Sequence, residues 1–543
     1  MRIENDGLPG RGGLEQKWKV LITVTMGIFM IIMDSTIVNI AFPALRSGLG
    51  ASLSQAQWVI SIYVLTLGIT TPVSGFLADR FDIKRIYLLG LAIFTFGSLL
   101  CGVAPTLGLL IAARALQGIG GGMAQPLGAA QLYRAFPPKE QGTAFGILGI
   151  ALVVAPALGP IMGGWLVDLE IWRAIFFVNV PIGILAVFLG SRFLPDVDAA
   201  RRPLFDPLGV ITAVVGFGAI LYAASVAETD GWTGGATLLL LGLGVAVLVL
   251  HVVIELRLAP EPMTNLRLFS NRVFLNASMV GYVATVALFG AEFLMPVYLQ
   301  SFRGRTAFEA GLILLAVAAT SGFTTPLAGR LYDKIGPRVI MFTGFLVLCV
   351  NTWQLAQLKA NTPIPFIIFL LGLRGLAVGL TLQTSYVTSL SSIPLDQLPR
   401  GSSLLNSTRF VIQALSVAAL ATVLVSFLSP ETQAAQKQLQ ADAGAGVRFG
   451  VCETPGVAPA DNVPPGARAS LANLPAATAL QAKVQILSNL KAACDQTMQG
   501  FEAAYRITFY ASVGALLLAA FLPGWPGKWA GRGTMQAPTV VAD

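Results

Sequence analysis

Apolar windows long enough to cross a bilayer recur almost from one end of this chain to the other, and they constrain its fold more than any motif does. A hydrocarbon core about 30 Å thick takes around 20 apolar residues per helix, and inside it only helices or closed barrels satisfy their own backbone. Read between polar punctuation, the windows centre near residues 30, 67, 95, 120, 154, 182, 217, 245, 285, 320, 347, 378, 414 and 512. The expected fold is an all-α integral membrane bundle of 14 transmembrane helices. Composition agrees: of 543 residues 55% are hydrophobic and 11% charged, against about 25% charged in a soluble domain. The first window, Trp18 to Phe42, is too long for a secretory h-region and lacks a small-residue cleavage site, so it reads as a retained span.

The chain carries a formal charge of +8, whose distribution speaks for a membrane rather than nucleic acid. Lys and Arg crowd alternate connections: Arg2, Arg11, Lys17 and Lys19; Arg80, Lys84 and Arg85; Arg134 and Lys139; Arg192, Arg201 and Arg202; Arg257, Arg267 and Arg272; and Arg330, Lys334 and Arg338. The intervening connections hold little beyond Arg46, Arg173, Arg303, Arg305 and Lys359. Positive charge stays cytoplasmic, so both termini are expected inside a bacterial plasma (inner) membrane and residues 429–500 outside it. That outer stretch is rich in Ala, Gln, Pro and Gly, with room for short helices over Glu431 to Gln440 and Leu471 to Leu490. Disorder, a lid and a docking surface for a partner all stay open. Its Cys452 and Cys494 pair if they face an oxidising compartment and are otherwise free thiols, whereas Cys101 and Cys349 sit in apolar runs as small core residues.

A duplication is visible. Gly75 to Lys84, "GFLADRFDIK", aligns with Gly329 to Arg338, "GRLYDKIGPR", and Arg114 has a counterpart in Arg374. Two six-helix bundles related by duplication are a transporter plan, with the site near the midplane between them. The division is an N-terminal arm over 1–17, a first bundle over 18–194, and an inserted helix pair with linkers over 195–268. A second bundle over 269–523 includes the 429–500 loop, and a tail covers 524–543.

Asp34 stands in "FMIIMDSTIVNIAFP", where a carboxylate at bilayer depth costs about 2.5 to 3.5 kcal/mol. Arg114 opens "RALQGIGGGMAQ", and on a helix Gln117, Gly118, Gly121 and Gln125 share its face, which cannot point at lipid. Gly118, Gly120 and Gly121 lack the full G-x-G-x-x-G spacing and the preceding strand of a nucleotide site. A buried arginine needs an anion or carbonyls; a pair with Asp34, the nearest carboxylate by depth, and a purely structural bonding to carbonyls are the two readings. In "GIALVVAPALGPIMGGW", Ala151, Ala155, Gly159 and Gly163 recur every four residues while Pro156 and Pro160 bend the helix. Generic packing and a flexing, leak-tight seam between the halves both fit. In the loop motif Gly75 allows close approach, Asp79 can meet a helix N-terminus or an arginine, and Arg80 and Lys84 hold the loop at the cytoplasmic side, a latch between helices.

Glu292, Arg409 and Arg506 are further charges in apolar runs, Glu292 being either an interfacial group or one that touches substrate or protons. His251, the one histidine, reads as an interface residue, and a lone histidine rules out a histidine-based metal cluster or catalytic triad. G-x4-G-K-[ST] does not occur, so ATP does not drive the chain directly. Neither enzyme activity nor a cofactor nor a metal site is expected.

Taken in order, "MDSTIVNIAFP", "GFLADR", "RALQG", "GPIMGG" and "WRAIFFVNVPIG" resemble the fourteen-span drug/proton antiporters of the major facilitator superfamily, the EmrB/QacA type. The likeness covers nearly all the chain outside the long outer loop. The resemblance implies proton coupling at Asp34, proton translocation at Arg114, and antiport through the motif at Gly159, Pro160, Gly163 and Gly164. It also implies a cytoplasmic gate at Asp79, to which Gly75, Arg80, Lys84, Asp333 and Arg338 are joined by the repeat. Asp82 departs from the pattern, which has glycine there, as the second half does at Gly336.

The expectation is a proton-coupled exporter that moves hydrophobic or cationic drugs outward by alternating access, powered by the proton gradient alone. Asp34 is expected in a wet cavity between the halves, with Gln117, Gln125 and Glu292. Its partners are then the lipid bilayer, small substrates and protons, with no nucleic acid. Two other classes stay open: an exporter of a lipid, siderophore or metabolite working with a periplasmic adaptor protein through the outer loop, and a transport-dead membrane sensor.

Overall fold

The computed structural model describes residues 15–51, 53–196, 206–259, 261–429, 450–453, 456–458, 461–522 and 524. Arg2, Arg11, Arg201, Arg202, the helix expected over Glu431 to Gln440 and residues 525–543 of the tail lie outside the described residues. Helices dominate, and among the described residues there is no strand. The first half comprises α1 (Gln16–Gly48), α2 (Leu53–Phe81), α3 (Ile83–Val103), α4 (Leu107–Ala135), α5 (Gln141–Asp168), α6 (Ala174–Phe177) and α7 (Asn179–Phe193). The inserted pair is α8 (Pro207–Asp230) and α9 (Gly235–Val253). The second half comprises α10 (Arg272–Val297), α11 (Ala307–Ile335), α12 (Pro337–Ala356), α13 (Ile364–Leu390), α14 (Leu398–Ser426), a short α15 (Pro465–Ala472) and α16 (Ala476–Ala519).

Thirteen segments among the described residues are long and apolar enough to cross a membrane, α6 and α7 together making the sixth. They coincide with the first thirteen expected windows. The fourteenth falls in the C-terminal half of α16, which packs against α10 and α12 but carries an ion pair between Glu502 and Arg506 (2.6 Å) that lowers its apolarity.

The halves meet where α2 packs on α14 and α5 on α11, and α8 lies against both α2 and α14. Glycines set these distances. In α4, a Cβ at Gly118 would lie 2.5 Å from the Tyr63 carbonyl, at Gly120 2.4 Å from the Phe94 nitrogen, and at Gly122 2.4 Å from the Leu67 carbonyl. The glycine cluster therefore seats α4 on α2 and α3.

Gly159 of the α5 stripe does not lie at a seam between the halves. Gly159 faces Thr36 of α1, inside the first half, where a Cβ would meet the Thr36 hydroxyl at 2.1 Å. The inter-half contact uses the earlier Gly142 and Gly146, which abut Gly329 and Thr325 of α11.

The outer stretch is more helical than expected, since α16 begins at Ala476, well before Gly500. Ala, Leu, Gln and Lys there are among the strongest helix formers, and they carry the last span out of the bilayer; its 44 residues run roughly 66 Å. Cys452 and Cys494 are disulfide-bonded. The bond ties α16 to residues 450–453, which themselves dock on the end of α10: Val451 N donates to Ser301 O (3.1 Å), Cys452 N to Phe302 O (2.9 Å), and Glu453 pairs with Arg303 (2.5 Å).

Candidate functional site

Asp34 is completely buried in the first half, held by donors from α4 and α7. Arg114 Nη1 of α4 donates to its Oδ2 (2.5 Å), while Gln117 Nε2 (2.8 Å) and Asn179 Nδ2 of α7 (2.7 Å) donate to Oδ1. Helical spacing places Arg114 and Gln117 one turn apart, so both reach α1 at one depth, and they are joined by Arg114 Nη1 to Gln117 Oε1 (2.7 Å). Gln117 Nε2 also donates to Ser98 Oγ of α3 (2.6 Å), and Arg114 Nε to the Val59 carbonyl of α2 (3.1 Å). The guanidinium lies over the Tyr63 ring at 4.0 Å. Three donors, one a full cation, are the complement of a carboxylate rather than a carboxylic acid. Asn179 Oδ1 is buried without a partner, so a turned amide has an acceptor ready for a protonated Asp34.

This geometry corrects one expectation: in the conformation shown, Asp34 opens onto no cavity between the halves, because its own half supplies enough donors to enclose it. The four residues expected to line one cavity fall in separate places. Asp34 and Gln117 share the buried knot, and half-buried Gln125 lies two turns further along α4, roughly 12 Å away. Glu292 belongs to α10 of the other half, where it is exposed and within electrostatic reach of Arg374 and Arg409. Arg374 repeats the position of Arg114 but not its bonding, since it donates to the carbonyls of Ala287 (3.0 Å) and Leu288 (2.8 Å) on α10. A small cavity that reaches Arg409 is lined by Ser278, Gly281, Tyr282, Ser385 and Tyr386.

The loop motifs close the face that carries the basic connections. Asp79 at the end of α2 pairs with Arg400 at the start of α14 (2.5 Å). In the repeat, Asp333 at the end of α11 accepts from Gly142 N (2.8 Å), Thr143 N (2.9 Å) and Thr143 Oγ1 (2.7 Å) at the start of α5, where free amides favour an anion. Gly75 and Gly329 permit both contacts: a Cβ at Gly75 would lie 2.7 Å from the Pro399 carbonyl and one at Gly329 2.1 Å from the Gly142 carbonyl. Arg134 donates to Leu395 O (2.5 Å) and Ser402 Oγ to Pro126 O (2.7 Å) across the same face. Of the other expected gate residues, Lys84 pairs with Asp196 of the following linker (2.9 Å), Arg338 bonds the Leu522 carbonyl, and Arg80 lies over its neighbour Phe81. Asp82 takes φ 89°, the counterpart of Gly336 at φ 79°, and its carboxylate caps Lys84 N (3.0 Å).

Asn179, Arg400, Gly142 and Thr143 were not singled out from sequence. Asn179 had a signal, an amide inside the apolar "FFVNVPIG"; Arg400 had none, because a loop arginine looks like any other positive charge on that side. His251 is a correction. It is buried rather than interfacial, bonded between Thr212 (2.9 Å) and Thr264 (2.9 Å).

Two duplicated helical halves that close on each other at one face around buried charges define a polytopic membrane transporter. The chain belongs to the Major Facilitator Superfamily, whose family profile matches residues 24–417. It is 32% identical to the multidrug resistance protein Stp of Mycobacterium tuberculosis over 412 residues, covering 75% of this chain and 76% of that one. It is likewise 32% identical to the riboflavin transporter RibZ of Clostridioides difficile over 406 residues, covering 75% and 88%. Its fold is similar to that of the human organic anion transporter MFSD10, with a TM-score of 0.54 at 15% identity over 76% of this chain and 94% of that one.

Proposed function

We propose that this protein is a proton-coupled antiporter of a bacterial cell membrane that exports hydrophobic or cationic small molecules, with both termini in the cytoplasm. The observation that carries the reading is Asp34, an ionised-form carboxylate locked to Arg114 inside one half while the halves are latched at the basic face. In the proposed cycle the latched protein is closed to the cytoplasm. A proton from outside neutralises Asp34, Arg114 loses its counter-charge and falls back on the Val59 carbonyl and Gln117, and α4 shifts against α1. The prolines and glycines of α5, Pro156, Gly159, Pro160, Gly163 and Gly164, give that half its flexibility. The membrane potential contributes about 2.3 kcal/mol per charge per 100 mV to inward proton movement. Substrate occupies the space between Gln125 and the Glu292, Arg374 and Arg409 group.

The similarity to the multidrug resistance protein Stp supports the drug reading, and that to the riboflavin transporter RibZ, at equal identity, supports a flat heteroaromatic metabolite as the second. Cells expressing the chain, loaded with ethidium, are expected to expel it until an uncoupler is added, and riboflavin is expected to slow expulsion if the second reading holds. Expulsion that survives the uncoupler would remove the proton from the mechanism.

A further inference from the structure

The inserted helix pair holds a buried polar pocket that the cycle above does not use. His251 at the end of α9 is 3% exposed, and Glu255, on the π-helical turn Ile254–Leu258 that follows, 1%. Thr212 of α8 gives its hydroxyl proton to the Leu208 carbonyl (2.7 Å), so toward His251 Nδ1 (2.9 Å) it accepts. The neutral ring is therefore the Nδ1–H tautomer. Its Nε2 lone pair faces Thr264 Oγ1 (2.9 Å) and Glu255 Oε1 (3.7 Å). Glu255 Oε2 accepts from Thr264 N (3.1 Å), but the buried Oε1 has no hydrogen-bond donor. Asp206, the N-cap of α8, is alike: Oδ1 accepts from Gly209 N (2.8 Å), and the buried Oδ2 has no donor. Both orphan oxygens converge over Gly209, where a Cβ would lie 2.3 Å from Asp206 Oδ2 and 2.7 Å from Glu255 Oε1. The imidazole lone pair accepts from the Thr264 hydroxyl, and the two carboxylate oxygens turned toward one another lack one hydrogen.

The pocket is wired to the latch. Thr264 hangs on Glu255, while two residues earlier the Pro262 carbonyl accepts from Arg400 Nη1 (3.0 Å), and Asn265 Nδ2 donates to Gln397 Oε1 (2.8 Å). Arg400 is the partner of Asp79. Among the described residues, the charged groups facing the pocket from neighbouring elements are Asp206 of the α8 cap and Arg400 of α14.

We propose that His251, Glu255 and Asp206 form a proton-binding site in the inserted helix pair, and that its occupancy sets how firmly Thr264 and Arg400 hold the Asp79 latch shut. A proton on Glu255 Oε1, shared with Asp206 Oδ2, supplies the hydrogen that the closed pocket lacks, an advantage lost once the pocket opens to water. With the proton the segment 262–265 is held and acid favours the closed basic face; without it the two carboxylates repel and the segment loosens. That the latch is a gate rests on the alternating access proposed above; the site itself does not involve Asp34.

Spin labels on Phe81→Cys and Leu395→Cys, both exposed and on opposite sides of the latch, report its opening in the full-length protein in lipid nanodiscs. Titration from about pH 9 to about pH 5 is expected to narrow the separation in one step. Glu255→Gln, the shape of the protonated acid, is expected to show the narrow separation throughout, and His251→Asn to move the midpoint. A purely structural Glu255 predicts the opposite, because glutamine keeps the Thr264 bond: an unmoved step in Glu255→Gln and His251→Asn overturns the proposal, as does a wild-type separation indifferent to pH. Proton-driven export measured alongside separates the two readings. Loss of export in Asp34→Asn with an unmoved Glu255→Gln step refutes this site and leaves the transport cycle, whereas intact export in Asp34→Asn with the step abolished in Glu255→Gln refutes the cycle and leaves this site.

Discussion

A carboxylate and a guanidinium sealed together at bilayer depth are costly as single charges and tolerable as a pair. Each of the Asp34 oxygens has a donor within 2.8 Å, so removing either charge strands the other. Breaking such a pair from one side costs about 3–5 kcal/mol, whereas replacing both members with apolar side chains is close to neutral. Asp34→Asn is therefore expected to lower the unfolding temperature in detergent clearly, and Asp34→Leu with Arg114→Met to recover most of the loss. Equal destabilisation in single and double variants would mean that the pair does not act as a unit. The pairing itself was legible in sequence, because two charges in apolar runs at one depth have few other partners. Asn179, which completes the shell, was masked by the apolar residues around it.

At the scale of helices, the repeat explains how one short motif serves two seams. In each half an acid at the end of the second helix crosses to the start of the fifth helix of the other half, Asp79 to Arg400 and Asp333 to the amides of Gly142 and Thr143. Gly329→Leu places side-chain atoms where the Gly142 carbonyl sits, and overpacking of that kind costs about 1–3 kcal/mol. It is expected to part α5 from α11 and raise the reactivity of a Thr143→Cys probe toward an impermeant thiol reagent several-fold; unchanged reactivity would mean that the glycine contact does not set the latch. Asp82 holds a left-handed backbone that suits glycine, at a cost of about 1–3 kcal/mol, while glycine at an N-cap loses only a few tenths. Asp82→Gly is accordingly expected to raise stability by about 1 kcal/mol in thermal unfolding, and no gain would show that the strain is offset elsewhere.

For the whole molecule, spans and duplication were readable because bilayer thickness and repeated motifs leave direct marks in sequence. The conformer was not. Contacts such as Asp79 with Arg400 join residues more than 300 positions apart, and the enclosure of Asp34 depends on donors brought in by other helices. The expectation of an open, wet carboxylate does not match this conformation, in which Asp34 is completely buried. In the α5 stripe, small residues every four positions announce close packing but not the partner, and at Gly159 that partner is α1 rather than the opposite half. The central claim is that this one carboxylate carries the coupling proton. Its most direct test is substrate-evoked proton movement in proteoliposomes containing a pH-sensitive dye, comparing wild type with Asp34→Asn at matched substrate binding. The account predicts proton movement in the wild type and none in the variant; proton movement of equal size in both would contradict it.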